Sequence, residues 1–411
     1  MSRPATPAVL LGAGVNGLSV ARSLGRAGVP LYVLGATNSL VSNSRYRGRY
    51  VALGGGDGMQ ARWLDWLRSG PHGAVVLPCG DDGLELVARN RTELAALGYI
   101  PIEADDEVLL AMLDKHRQYE LAAQIGVPAP RTLTIQSDSD VDAAAASFPY
   151  PCALKPLQSH VWARHFTGKV IVVSSADELR EAIVRMRALG IDMLATEIVA
   201  GREDQYYGYY SYLDERGEPL FEMTKQKIRQ YPRGFGIGCY HVTNWDPEVA
   251  EMGLRFMQGV GMRGLANVEF KRDARDGRLK LIELNHRFTA INELVRLAGL
   301  DLALFTYNRL TGRDGPSLAS YRRGVRLWYP IEDLRSMLEA RAAGELSLGS
   351  AARSVLHRQH FPIFSWDDPR PSLFSNARLA HRVARRLSGR RTAPSHPAAG
   401  SPEEGSATTV A

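Results

Sequence analysis

Residues Ala8–Leu11 form a short apolar run that passes directly into Gly12-Ala13-Gly14-Val15-Asn16-Gly17. A helical pattern follows over 17–27 and stops at Gly28, and 30–34 is a second apolar run. Met59–Arg68, 74–78 and 82–97 continue the alternation as helix, strand and helix, the last closed by Gly98. Strands alternating with helices at this spacing predict a parallel sheet with helices packed on its faces. The glycine pattern between strand and helix also suits a dinucleotide, whose ribose needs an acid at the end of the second strand. That stretch reads Leu34-Gly35-Ala36-Thr37-Asn38, and the first acid in the chain is Asp57. Three readings stay open: a tight turn, a helix N-terminus receiving some other anion, or NADP with its 2′-phosphate on Arg45 or Arg47, which would make an oxidoreductase.

A second unit begins near Pro101. Residues 105–125 read as one helix ended by Gly126, and 127–130 force an extended exit before Pro130. Strands dominate 152–285. A helix from Ser175 to Leu189 interrupts them, opened by Ser175-Ala-Asp-Glu178 and closed by Gly190. Hairpins are predicted over 206–227 and 266–285. Residues 316–375 are mixed, and after Pro394 the composition is that of a disordered tail.

The second hairpin holds the chain's most chemical pattern, Val268-Glu269-Phe270 with Ile282-Glu283-Leu284-Asn285. Glu283 and Asn285 are two apart on a strand and share a face. A three-residue loop at 275–277, with Gly277 at positive φ, would pair Glu269 with Glu283. A two-residue Asp-Gly turn would send Glu269 to the other face. Two carboxylates and an amide among Val, Leu, Ile and Phe are costly to gather without a cation. Hard oxygen ligands of this kind suit magnesium beside phosphates, or manganese in its place. Lys115, at a helix end, and Lys155, at the end of Ala153-Leu154-Lys155-Pro156, are candidate phosphate contacts. The run Thr196-Glu197-Ile198-Val199-Ala200-Gly201-Arg202-Glu203 suits an adenine edge bonded by backbone and a ribose held by Glu203.

Lys115, Lys155, the 197–203 segment, Glu269 and Glu283-x-Asn285 occur in an order and spacing that resembles the ATP-grasp superfamily, in the flavour of carboxylate–amine ligases related to D-aspartate ligase. The resemblance covers roughly residues 1–315. It implies a Rossmann-like parallel sheet over 1–100 that holds no dinucleotide. A two-lobed ATP-grasp unit of antiparallel sheets and helices over 101–315 follows, with 316–392 a mixed region bearing a basic helix and 393–411 a tail. It implies ATP and magnesium as cofactors. Lys115 and Lys155 would lie on the phosphates, Glu197, Ile198 and Val199 on the adenine, and Glu203 on the ribose. Glu269, Glu283 and Asn285 would ligate the metal. The implied activity is an ATP-dependent ligase joining a small carboxylate, activated as an acyl phosphate, to an amine, either of which could be an amino acid. A non-catalytic ATP-binding protein is the alternative. The segment 158–169 departs from the family, with one glycine where a glycine-rich lid is usual.

Lys225 and Lys227 precede a loop with three glycines in five residues (234–238) and are candidates for an anion-binding role near the acceptor. Arg287, two beyond Asn285, would share the metal face and meet developing negative charge. Tyr206, Tyr207, Tyr209, Tyr210 and Tyr212 crowd one strand, which β-propensity explains. Three well-separated cysteines offer no disulfide frame or zinc spacing, so a cytoplasmic setting is expected. Residues 1–56 carry six arginines and no acid, and 376–411 carry six arginines against Glu403 and Glu404. Leu379, Val383 and Leu387 at helical spacing, among Arg378, Arg382, Arg385, Arg386, Arg390 and Arg391, describe a basic amphipathic helix. Such a helix either presents a solvated face or meets an anionic membrane surface; nucleic acid is not expected as a partner.

Overall fold

A computed structural model describes residues 5–156, 170–315, 318, 320–387 and 409–410. The atypical lid segment 158–169 lies outside the described residues, as does most of the tail. Strands β1 (Ala8–Leu11), β2 (Leu31–Gly35), β3 (Arg49–Ala52), β4 (Val75–Pro78) and β5 (Ile100–Pro101) form a parallel sheet in the order β3-β2-β1-β4-β5. Helices α1 (Val15–Arg26), α2 (Met59–Arg68) and α3 (Asp81–Ala96) connect them. The β1 run is wholly buried, as a sheet covered on both faces requires. The turn into α1 needs its glycines: Gly12 has φ +116°, and a Cβ on Gly17 would sit 2.2 Å from the Gly12 carbonyl oxygen. The end of β2 and the 45–47 stretch, weighed above for a dinucleotide, make contacts within the chain. The Tyr50 hydroxyl donates to the Ala36 carbonyl at 2.5 Å, while Arg45 and Arg47 reach the carbonyls of Asp367 and Ser42.

The stretch 105–125 is two helices, α4 (Asp106–Ala111) and α5 (Lys115–Ile125), not one. The cause is Asp114, whose carboxylate accepts from the amides of His116 and Arg117 and so starts a new helix where periodicity alone would continue the old one. A small antiparallel sheet follows, built from β6 (Thr132–Ile135), β7 (Cys152–Pro156), β8 (Val170–Val173) and β9 (Met193–Glu197). Helices α6 (Asp138–Ser147) and α7 (Ala176–Ala188) pack on it around Leu154, Ile171, Leu179 and Ile183. Ser175 caps α7 as its spacing predicted.

Strands β10 (Tyr206–Leu213), β11 (Pro219–Tyr231), β12 (Ile237–Asn244), β13 (Gly264–Arg272) and β14 (Leu279–Asn285) belong to a larger antiparallel sheet. Its order is β14-β13-β10-β11-β12-β15, with β15 (Arg326–Trp328) contributed from the mixed C-terminal stretch. Helix α8 (Pro247–Gly259) and α5 cover one face around Tyr209, Phe256, Val268, Leu281 and Leu284. Helices α9 (Asn292–Ala298) and α10 (Leu302–Leu310) join the larger core shared with the parallel sheet. Helices α11 (Pro330–Ala342), α12 (Leu348–Val355) and α13 (Arg370–Leu387) complete the C-terminal stretch. A buried ion pair of Arg229 with Asp333 (2.6 Å) fixes α11 to β11. Thr409–Val410 pair with β8 as a two-residue edge strand, β16. A parallel sheet followed by antiparallel sheets with helices is the fold class the sequence predicted.

Candidate active site

The site grows from the hairpin β13–β14, and its register is reached by a route the sequence did not predict. The turn is a four-residue loop at 274–277, closed by the Asp273 amide on the Arg278 carbonyl (2.9 Å) and the Gly277 amide on the Asp273 carbonyl (2.8 Å). Gly277 has φ +72°, as expected. Continued unbroken, that turn would set Glu269 opposite Ile282 and aim it away from Glu283. Instead Phe270 pairs with Leu281 while Glu269 pairs with Glu283, leaving Ile282 as the extra residue of a bulge. Leu279, Leu281 and Leu284 stay buried while Ile282 and Glu283 are both half-buried. A bulge beside a site re-aims a side chain, and here it restores Glu269, Glu283 and Asn285 to one face. The Asn285 amide donates to Glu283 Oε1 at 3.2 Å.

Helix α5 delivers the first lysine. Strand β14 is a sheet edge, and the buried Gln118 satisfies both the amide (2.7 Å) and the carbonyl (3.2 Å) of Leu284. The Tyr119 hydroxyl bonds the Ile282 carbonyl at 2.8 Å. With α5 so docked, Lys115, one turn earlier, reaches Glu283 Oε2 at 3.0 Å. A cation in a first helical turn opposes the helix dipole, so this placement is set by the carboxylate and not by the helix. The Lys115 charge holds the Glu283 carboxyl well below the usual carboxylate range against its burial, and Glu283 in turn raises Lys115.

The other cations come from β11. Lys225 and Lys227 are buried strand residues, not part of the glycine loop. Lys225 Nζ lies 2.8 Å from Glu269 Oε1, and Lys227 Nζ lies 3.7 Å from Glu269 Oε2. To reach β13 from β11, Lys225 must cross β10, and it does so over Gly208. A Cβ there would be 2.4 Å from Lys225 Cε. Burial pushes Glu269 up, yet the two lysine charges win and the net shift is downward. Lys227 also sits 4.0 Å from the Tyr206 ring centroid, and Lys271 4.9 Å from it. Lys155, at the end of β7, is pushed down to about 7 by burial and then by the charge of Lys115.

The 197–203 segment divides its duties. Glu197 accepts from the Arg131 amide (3.1 Å) and pairs with Arg275 (2.5 Å) and Lys280 (3.3 Å). Lys271 donates to the Val199 carbonyl at 2.8 Å, and Arg275 to that of Ile198 at 3.4 Å. Glu203 Oε1 accepts from the Gly234 amide at 2.9 Å, while its Oε2 is buried with no partner among the described residues. Arg287 is brought to the same region but pairs with Asp81 at the start of α3, at 2.5 Å. Gly208, Asn267, Lys271 and His241 complete the face and were not picked out from sequence. His241 is buried beneath Lys225 and Lys227, which with its burial depress its pKa, and neither ring nitrogen has a partner among the described residues. Only Gly208 left a sequence signal, a lone glycine inside a run of tyrosines.

The donor set fits the implied groups. Two carboxylates and one amide converge, each carboxylate already balanced by an ammonium, and Glu203 keeps an orphaned acceptor where a sugar hydroxyl could donate. Among the described residues no three His, Cys, Asp or Glu side chains cluster as a metal site; an amide-containing set falls outside that description. Among the described residues no helix is long and apolar enough to cross a membrane.

No family model matches the chain. It is similar to D-aspartate ligase of Enterococcus faecium (strain Aus0004), with 25% identity over 241 residues, 56% of this chain and 57% of that protein. The match therefore spans a little over half of that relative's length. Among solved structures it is similar to L-amino acid ligase from Bacillus licheniformis, with TM-score 0.57 and 14% identity over 75% of each chain. It is also similar to the ADP complex of N5-carboxyaminoimidazole ribonucleotide synthetase, with TM-score 0.60 and 15% identity over 78% of this chain and 82% of that one. Biotin carboxylase from Campylobacter jejuni gives TM-score 0.59 and 15% identity over 77% and 74%.

Proposed function

We propose a function from the premise that this chain belongs to the ATP-grasp superfamily: it is an ATP-dependent carboxylate–amine ligase that makes an amide bond and releases ADP and phosphate. One observation carries the proposal. Glu269, Glu283 and Asn285 share a face, with Lys115 and Lys225 within 3.0 Å of the two carboxylates. Magnesium, or manganese in its place, would be held by those three oxygen-bearing side chains, and when bound it would supply neutralisation of phosphate charge. Lys115 and Lys155 would contact the phosphates, Glu203 the ribose through its unpartnered Oε2, and the 198–199 backbone the adenine. Glu197, engaged with Arg275 and Lys280, would shape the adenine site by anchoring that backbone.

A carboxylate resists attack because it is anionic and has no leaving group. Phosphorylation to an acyl phosphate, with ADP released, supplies one; attack by an amine then forms the C–N bond and expels phosphate. For such a reaction the protein's part is positioning and charge stabilisation. Arg287 would leave Asp81 to meet the carboxylate or the developing oxyanion, and Lys225 and Lys227 would balance Glu269 throughout. An amino acid as one of the two substrates is in keeping with the named activities of D-aspartate ligase and L-amino acid ligase. The test is ADP release across a panel of carboxylate–amine pairs, repeated with Glu283→Ala and Lys155→Ala. Turnover for at least one pair, lost in both variants, is expected; full turnover in either variant would refute the assignment. Tight Mg-ATP binding with no ADP release for any pair would favour a non-catalytic nucleotide-binding protein.

A further inference from the structure

We infer that the two arginine-rich ends of the sequence form one docking face for an anionic lipid bilayer. Residues 1–56 carry no acid, and between Asp368 and Glu403 there are seven arginines and no acid. The fold brings these stretches together. Helix α13 begins against the 3₁₀ turn Val41–Asn43, and Arg378 donates to the Asn38 carbonyl at 3.3 Å. The junction consumes the nearest acids. Asp368 is buried and accepts from Arg22 Nε (2.9 Å), Ser44 Oγ (2.6 Å) and the Arg45 amide (2.9 Å), while Asp367 pairs with Arg26 at 2.8 Å.

Four other guanidiniums keep their charge outward. Arg45, Arg47, Arg49 and Arg378 are exposed, and the partners the structure gives them are carbonyls and aromatic rings. Beside them stand two apolar side chains in water, Trp366, 90% exposed, and Leu373, 66% exposed. Further along α13, Leu379, Val383 and Leu387 recur at i, i+4 spacing among Arg378, Arg382, Arg385 and Arg386. Arginines alone would suit any polyanion. A tryptophan and a leucine set among them suit a headgroup layer, where an indole settles at the interface while basic residues meet anionic lipid. Stable attachment takes both signals, since a short apolar contact alone holds only weakly.

The test is flotation of the full chain with phosphatidylcholine vesicles, with and without phosphatidylglycerol. Binding is expected only to the anionic vesicles and should fall in high salt. Replacing Arg378 and Arg382 by Gln should weaken it roughly fivefold per residue, as should Arg47→Gln with Arg49→Gln on the other end of the chain. Trp366→Ser with Leu373→Ser, both exposed and so tolerable to the fold, should abolish retention at unchanged charge. No binding to anionic vesicles at low salt would overturn the proposal, as would full binding by the Trp366/Leu373 variant or indifference to Arg47 and Arg49. Retention on duplex DNA that depends on the arginines but not on Trp366 or Leu373, with vesicles ignored, would overturn it in favour of nucleic acid.

Discussion

One hairpin carries two clusters of acids and cations that do opposite work. At its turn, the fully buried Asp273 meets Lys280 at 2.8 Å and Arg275 at 2.5 Å, and Glu197 from β9 meets the same two cations. Charges close on one another there, tying the small sheet to the large one. At the other end, Glu269 and Glu283 each take a lysine from a different element, β11 or α5. Lys155 adds a further amine close enough to Lys115 to feel its charge, and Glu203 Oε2 has no partner among the described residues. At the turn two acids share the same two cations in one closed set, while at the proposed site each acid has lysines of its own and further polar groups stand beside them.

The sharpest way to break that contrast is to remove one acid from each end. Glu283→Ala should lower ADP release by about 10²–10³-fold, roughly 3–4 kcal/mol of transition-state stabilisation. It should barely move the unfolding midpoint, because the side chain of the abandoned Lys115 is 47% exposed and water can take over. Asp273→Ala should do the reverse. It leaves Lys280, whose side chain is only 13% exposed, and Arg275 to share the single carboxylate of Glu197, costing about 2–3 kcal/mol in urea unfolding. If Asp273→Ala lost turnover as heavily as Glu283→Ala at unchanged stability, the division between the two ends would collapse.

How far the sequence displayed this depends on the range of each signal. Strand–helix alternation, caps such as Ser175 and the pairing of Glu269 with Glu283 rest on local pattern and were readable. The bulge at Ile282 was not, because a four-residue turn and a one-residue bulge together give the same pairing at Glu269 as the three-residue turn that was expected. Its trace was the break in apolar alternation, two residues from Leu279 to Leu281 but three from Leu281 to Leu284. The helix boundary at Asp114 was hidden because an N-cap aspartate inside an apolar repeat reads as one more exposed polar residue. Partners supplied from afar left still less sign. Arg275 and Lys280 on Glu197, and Asp81 on Arg287, join segments dozens to hundreds of residues apart, where no spacing rule reaches.

A smaller effect sharpens the receptive end. Gly208→Ala places a methyl 2.4 Å from Lys225 Cε, so either Lys225 leaves Glu269 or the strand shifts. Turnover should fall about tenfold, near 1.4 kcal/mol, through displacement of the charge and not its loss. The double variant with Lys225→Ala should then be no slower than Lys225→Ala alone, since both changes act through one contact. Additive losses would mean that Gly208 serves the sheet and not the lysine.

The smallest effect is in protons. Lys155, held down to about 7 against an ordinary 10.5, is largely neutral in the free folded protein between those values and charged in the unfolded chain. The unfolded state thus binds more protons in that window, so this group's contribution to stability grows as pH rises through it and is lost as pH falls through about 7. A bound phosphate favours the ammonium and reverses the depression. Nucleotide binding between these pH values should therefore draw a substantial fraction of a proton from solution, and its affinity should weaken as pH rises. Calorimetry in buffers of different ionisation heat measures that uptake directly. Lys155→Arg, charged throughout the window, should still bind nucleotide but take up no proton. Undiminished uptake in that variant would move the titrating group elsewhere and leave Lys155 a structural neighbour of Lys115.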